Sequence, residues 1–221
     1  MCSKKLMAAC LIFGSSFSLL YGVDNCSRWA IVNLDQISII IPACETAGAT
    51  IPEDTGSTGD VPAIDSAVRE MYLDVINTAR SESQDCGEYG VKPAVAPLRW
   101  SDALYKASYR HSNDLARTNT FSHTGSGTAT DIAAQALHPG EGSHVGERIE
   151  HAGYTNWRAY GENIAAGTVM DEAQEAIDAW LSSPGHCANL MNSNFTEVGM
   201  AHVMDSDSHY THYWTQDFGK R

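Results

Sequence analysis

Over residues 63–83, apolar side chains return at Val68, Met71, Tyr72, Val75, Ile76 and Ala79, three or four positions apart. That spacing puts them on one face of an α-helix. A second helix is expected to open at Ser101, whose hydroxyl can cap it, with Leu104, Ala107, Ser108, His111, Leu115 and Ala116 along its faces. A third begins at Asp171, gathers Ala173, Ala176, Ile177 and Trp180 on one side, and is expected to be ended by Pro184. Shorter helical turns fit residues 131–137 and 144–151. Near the C-terminus the period changes to two. Val198, Met200 and His202 alternate with Gly199, Ala201 and Val203, and after a polar turn Tyr210, His212, Trp214, Gln216 and Phe218 alternate with Thr211, Tyr213, Thr215 and Asp217. Two strands joined by a short loop predict an antiparallel hairpin. Helices around a small antiparallel sheet make an α+β layered domain.

The N-terminal region follows neither period. Lys4 and Lys5 precede an apolar stretch over residues 6–13 and then Ser15, Ser16 and Ser18, with Gly22 beyond, which reads as an export signal over residues 1–22. Residues 23–62 form an extension without a clear repeat that ends in a linker-like run rich in Gly, Thr, Asp and Pro. The folded domain is therefore expected over residues 63–221, and no stretch after the signal is long and apolar enough to span a bilayer. A chain of 221 residues, 43% hydrophobic and 19% charged, sustains one good-sized core. Charge narrows the partners. With 14 basic against 27 acidic residues the net charge is −13, and loss of the signal removes two of the lysines, so nucleic acid is not an expected partner.

Export also changes the meaning of the cysteines. Cys2 and Cys10 lie in the signal, leaving Cys26, Cys44, Cys86 and Cys187 in a compartment where disulfides persist. Three pairings are open. The favoured bridge joins Cys86 to Cys187, since both lie within the folded portion, and leaves Cys26 and Cys44 able to pair in the extension. No CxxC or Cys/His spacing points to a structural zinc cluster.

Candidate chemistry gathers in three short segments. His123 stands between Ser122 and Thr124, Glu162 between Gly161 and Asn163, and His186 between Gly185 and Cys187. Both histidines sit in loop-like surroundings, not on apolar helical faces. Neutral imidazoles suit a divalent cation, zinc above all. Two histidines alone imply a weakly held, hydrated ion, because catalytic zinc normally has three protein ligands. Glu162 has two readings, as the base that deprotonates a metal-bound water or as a carboxylate that accepts backbone hydrogen bonds and fixes the wall of the site. His111 reads as a hydrogen-bonded packing residue, Arg148 as the partner of an acid and Asn189 as a loop anchor. His202, His209 and His212 read as solvated or half-buried histidines of the hairpin. Ser122 and Ser183 lack the Gly-x-Ser-x-Gly elbow of a serine nucleophile, Cys187 is better used in a disulfide, and no nucleotide-binding glycine motif is present.

Several motifs together carry a resemblance. Leu98 with Arg99, Trp100 and Ser101, the run from Arg110 through His111 to Ala116, Phe121 with Ser122, His123 and Thr124, Arg148 with Gly153 and Tyr154, Gly161 with Glu162, Asn163, Ile164 and Ala165, Ser183 with Pro184, Gly185, His186 and Asn189, and Phe195 with Glu197 and Gly199 appear in one order. In that order the chain resembles bacterial secreted members of the CAP superfamily, which comprises cysteine-rich secretory proteins, antigen 5 and pathogenesis-related class 1 proteins and is also called the SCP-like extracellular domain. The resemblance covers about residues 63–219. It implies a three-layer α-β-α sandwich, with a small antiparallel sheet flanked by helices, and a central cavity presenting two histidines and two glutamates. By motif these are His123, Glu162 and His186. The remaining glutamate usually lies three residues after the helix tryptophan, where Trp180 is here followed by Ser183. That departure leaves Glu172, Glu175 or another acid as the source of any second carboxylate.

Three function classes follow. The leading one is a secreted protein, extracellular or periplasmic, whose cavity of His123, Glu162, Ser183 and His186 holds Zn2+ or another divalent cation, a lipid or sterol, or a cell-envelope ligand, with a protein partner as a further option. The second is a metal-assisted hydrolase of peptide or cell-wall polymer using Glu162 as general base. The third is a host- or envelope-interaction protein with a vestigial site. The ligand classes come from the resemblance.

Overall fold

The computed structural model describes residues 61–221 and, before them, the backbone of two strands, β1 (Arg28–Leu34) and β2 (Ile37–Ala43). These pair antiparallel as a hairpin, with Ile31 opposite Ile40, inside the extension that shows no clear repeat. The export signal and Cys2, Cys10, Cys26 and Cys44 lie outside the described residues.

In the main unit, α1 (Ser66–Arg80) starts where Asp65 accepts the Ala67 N–H at 2.7 Å, and it buries Val68, Tyr72, Ile76 and Ala79. Met71, at the margin of that stripe, remains exposed. A small hairpin of β3 (Gln84–Asp85) and β4 (Val91–Lys92) follows around a 3-10 turn at Gly87–Tyr89. The strand β5 (Arg99–Trp100) leads into α2 (Asp102–Thr118), capped by Ser101 as its sequence predicts and closed by Asn119 in the left-handed conformation. The short helices α3 (Ile132–Leu137) and α4 (Val145–His151) fall on the two predicted turns. Then come β6 (Ala159–Gly167), α5 (Ala173–Leu181), α6 (Pro184–Leu190), β7 (Glu197–Met204) and β8 (His212–Lys220).

Four strands form one sheet in the order β5-β7-β8-β6, antiparallel except for the short parallel contact of β5 with β7. Helices cover both faces, which is the expected α-β-α sandwich. On one face Trp214, Phe218, Val198 and Met200 pack with Tyr72, Ile76, Ile177 and Trp180 of α1 and α5. On the other, α2 lies along β7 and β8 and meets α4 through Leu104, Ala107, Ile149 and Tyr154. Gly199 permits this approach, since a Cβ there would stand 1.9 Å from the Tyr105 backbone nitrogen.

Because both faces are covered, alternation in β8 separates two interiors, not core from solvent. Thr215, Gln216 and Asp217 are all fully buried, and α2 satisfies two of them: Ser112 Oγ donates to Thr215 Oγ1 at 2.8 Å, and Ser108 Oγ lies 2.9 Å from Asp217 Oδ2. The same double cover corrects the reading of His202 and His212 as solvated or half-buried. Both are buried, 3.0 Å apart from Nε2 to Nδ1, and His202 stacks on Trp214. Pro184 also departs from expectation. The helix α5 ends at Leu181 with Ser182 as its cap, and Pro184 opens α6, where its missing N–H costs nothing.

Arg80 ties α1 to the far end of α6. Fully buried, it donates to Ala96 O from Nε and Nη2 and to Leu190 O and Asn192 O from Nη1. Burial lowers its pKa to about 10, so it is charged at neutral pH and held by carbonyl dipoles. Arg80→Met strips donors from those carbonyls and is expected to cost about 3 kcal/mol or more, given roughly 1–3 kcal/mol for each buried group left unpaired. Thermal or denaturant unfolding of the variant measures this loss.

Candidate functional site

The site is built on β6, the outer strand of the sheet, whose free edge is closed by side chains. Asn189 of α6 donates to Glu162 O at 3.1 Å and to Asn163 Oδ1 at 3.0 Å, and Trp180 Nε1 donates to Ile164 O at 2.9 Å. Asn163 Nδ2 reaches back to His186 O at 3.2 Å. Gly161 is needed for this closure, because a Cβ there would lie 2.6 Å from Asn189 Oδ1. Asn189 is therefore an anchor, as expected, but of a strand edge and not of a loop.

Held in this way, β6 directs Glu162 toward the α2 side. Its side chain is 1% exposed. Oε1 accepts from His123 Nδ1 at 2.8 Å and Oε2 from Arg148 Nη2 at 2.7 Å, while His111 Nε2 stands 3.8 Å from Oε1. Burial, which alone would raise the carboxyl pKa, is outweighed by His111 and Arg148 and by the hydrogen bonds from His123 and Arg148, and Glu162 titrates at about 2. His111 is itself pushed down to about 4, chiefly by burial. At neutral pH the cation opposite Glu162 is therefore Arg148. The pairing of Arg148 with an acid, expected from sequence, is present, and Nη2 also donates to His123 O at 2.9 Å, which secures the loop that carries the histidine.

His186 comes from the first turn of α6. Its Nδ1 lies 2.9 Å from Ser183 Oγ, and its ring centre is 6.1 Å from that of His123. Burial and the neighbouring His123 ring lower the His186 pKa. With Nδ1 of each ring engaged, Nε2 is the nitrogen each can offer to a ligand. His123, Glu162, Ser183 and His186 thus line one open groove of about 460 Å³, together with Asn163, Asn189, Asn192 and Tyr89. The buried disulfide between Cys86 and Cys187 joins the turn bearing Tyr89 to α6 beside His186. Its sequence separation of 101 residues would give about 4.7 kcal/mol in a chain-entropy account.

Glu172 and Glu175 do not supply a second carboxylate. They lie at the start of α5, where Glu175 Oε2 accepts the Glu172 N–H. The acid beside Glu162 is Asp217, its register partner on β8. Burial, then the charge of Glu162, pushes the Asp217 pKa well above the usual range. The shift opposes the placing of two adjacent anions in one dry interior. Neither Asp217 nor the rim residue Tyr89 is among the sequence-predicted site residues; the strand alternation groups Asp217 with Thr215, and the structure puts both against α2. Among the described residues no group of three or more His, Cys, Asp or Glu is arranged to hold a metal ion, so the groove offers an ion two imidazoles and open coordination positions.

A three-layer sandwich with a His and Glu groove at the edge of its sheet is the class defined by fold and site. The sequence matches the model of the CAP, or cysteine-rich secretory protein, family over residues 73–218, and the chain belongs to that family. It is 29% identical over 166 residues to the uncharacterized protein YkwD of Bacillus subtilis (strain 168), covering 75% of this chain and 52% of that protein. It is 28% identical over 158 residues to the uncharacterized membrane protein YlbC of the same strain, covering 72% and 36%. The chain thus spans about half and about a third of these relatives. Among solved structures, an outer surface protein from Borrelia burgdorferi shares the fold, with a TM-score of 0.50 at 19% identity over 74% of this chain and 98% of that one. No helix among the described residues is long and apolar enough to cross a membrane.

The buried titratable groups give a directional pH dependence. His111 and His202 drop from the ordinary 6.5 to about 4 and about 3, and Glu162 from 4.5 to about 2. In each case the folded state binds fewer protons than the unfolded one, so stability is full above pH 6.5 and falls as pH drops through 4 toward 2. Asp217 works in the opposite sense, since its raised pKa relieves a penalty on acidification. The His111 shift alone corresponds to on the order of 3 kcal/mol. Unfolding followed from about pH 7 to about pH 3 should show this loss, and His202→Leu should flatten it; an equal slope in the variant would remove His202 from the account.

Proposed function

We propose that this is an extracytoplasmic binding module that takes a divalent cation, zinc being the best match, between His123 and His186, and a polar cell-envelope ligand along the same groove. The observation that carries the reading is the matched pair of supports behind the two imidazoles. Glu162 Oε1 fixes Nδ1 of His123 and Ser183 Oγ contacts Nδ1 of His186, the outer-layer hydrogen bonding that orients histidine ligands toward a metal. Ser183, at the position where the family usually has a glutamate, thus serves the second histidine.

Binding fits the carboxylate better than hydrolysis. A general base must reach the proton it removes and have a pKa near the working pH. Glu162 is buried, has both oxygens engaged and titrates at about 2, which suits a positioning residue. The groove also favours a polar ligand over a lipid or sterol, since Asn163, Ser183, Asn189, Asn192 and the two histidines make up much of its lining. An extracytoplasmic setting is supported by the signal-like N-terminus and by the Cys86–Cys187 disulfide.

Calorimetric titration of zinc into the metal-stripped protein should show saturable binding that His123→Ala with His186→Ala abolishes. Ser183→Ala should weaken it roughly 10- to 100-fold, the usual effect of losing an outer hydrogen-bond partner. Binding unchanged in the double variant would overturn the cation site. Cosedimentation with isolated cell-envelope polymer, with and without zinc, tests the second ligand; equal failure to sediment in both conditions would count against it.

A further inference from the structure

Behind the groove, against α2, α3 and α4, lies a second and much smaller cavity of about 10 Å³, with His111, Asp114, Asp131, Arg148, Ala107 and Ala133 among its walls. That volume is about the minimum that accepts one water molecule. On two of the residues that line it, one polar atom each, His111 Nδ1 and Arg148 Nε, is buried and has no hydrogen-bond partner within the protein. The residues that carry them are 1% and 4% exposed. Buried polar atoms of this kind are costly unless something small satisfies them.

The sign of each atom is set by its surroundings. His111 Nε2 lies 3.0 Å from Ser122 O, which can only accept, so Nε2 carries the ring hydrogen. Burial keeps the ring neutral, and Nδ1 therefore carries a lone pair. Arg148 Nε presents an N–H, because guanidinium has no acceptor. The two acids in the wall are not equally satisfied. Asp131 accepts four, from the Gly127, Ala134 and Ser143 N–H groups and from Ser143 Oγ, which fills its carboxylate, whereas Asp114 accepts three, two from Ser126 and one from Thr130, which leaves it one position.

This mixture selects the occupant. The wall holds two guanidiniums, Arg110 and Arg148, and two carboxylates, so its charges offset and it favours neither an anion, which would face the carboxylates, nor a metal cation, which would face the guanidiniums. An ammonium ion has no lone pair for the Arg148 N–H. We propose that the cavity is a binding site for one ordered water, which accepts from Arg148 Nε–H and donates to His111 Nδ1 and to the carboxylate of Asp114. The water joins α2 to α4. It also fixes the His111 tautomer that bonds Ser122 O, one residue before His123, and so supports the groove from behind without touching its ligand. The inference stands apart from the cation reading and survives if zinc does not bind.

Nuclear magnetic resonance of the 15N-labelled full chain tests it. The expected result is a nuclear Overhauser cross-peak between Arg148 Nε–H and the water resonance, together with a long-range 15N spectrum in which His111 carries its hydrogen on Nε2 and a lone pair on Nδ1. Absence of the water cross-peak from a resolved Arg148 Nε–H, or a hydrogen on His111 Nδ1, would overturn the proposal. Both readouts use the unaltered protein, so neither depends on a variant that must fold.

Discussion

The geometry of the groove depends on one buried ion pair, Glu162 with Arg148. It joins strand β6 to helix α4 through an interior from which water is largely excluded. Desolvating both charges is expensive, and the Coulombic attraction offsets this only when the remaining hydrogen-bonding positions are filled. Here they are used with economy. The guanidinium also holds His123 O and Ser143 O, and the carboxylate also holds the His123 ring. The loop that bears His123 is thus fixed by its backbone through Arg148 and by its side chain through Glu162. Deleting either charge would leave the other buried and unpaired, typically a loss of about 3–5 kcal/mol.

That pair constrains its neighbours. Asp217, opposite Glu162, has its pKa raised by burial and then by that charge, and His111, 3.8 Å from Glu162, is kept neutral by burial although the carboxylate favours its charged form. The charges that face each other at neutral pH are those of Glu162 and Arg148. The interior of the sheet follows the same logic. Thr215 and Asp217 meet hydroxyls of α2 spaced one helical turn apart, Ser112 and Ser108, so register between helix and strand is set by hydrogen bonds as well as by packing. A slip of one residue would turn both partners to the other face.

Much of this was legible in the chain. The stripe of Val68, Tyr72 and Ile76, the Ser101 cap and the alternation from Val198 to Phe218 each follow from a local period or cap, and the structure has all three. His123, Glu162, Ser183 and His186 were placed together by motif, and they line one groove. The strand β6 was not legible. Its sequence, rich in Gly, Ala and Asn, has weak strand propensity, and its pairing with β8 together with side chains from distant segments gives it its place. The short strand β5 and the helix α6 are likewise set by tertiary contacts. His202 and His212 were misjudged for a related reason, since period two shows that a strand has two faces but not that both are covered.

Ser183 brings a hydroxyl, not a carboxylate, to the groove. Glu162 is the single acidic residue among the groove's lining residues, and Arg148 behind it balances that charge. What faces a ligand is therefore two imidazoles, a hydroxyl, several amides and the Tyr89 ring, with no unbalanced carboxylate to strengthen a cation's hold. Several of the amides are already committed to the edge of β6. The ligand-facing chemistry thus rests on Nε2 of His123 and His186, and their separation is set from behind, by Glu162 on one side and by Ser183 with α6 on the other. A site of this kind is specified by how its imidazoles are held, which is why the buried ion pair that holds His123 governs it.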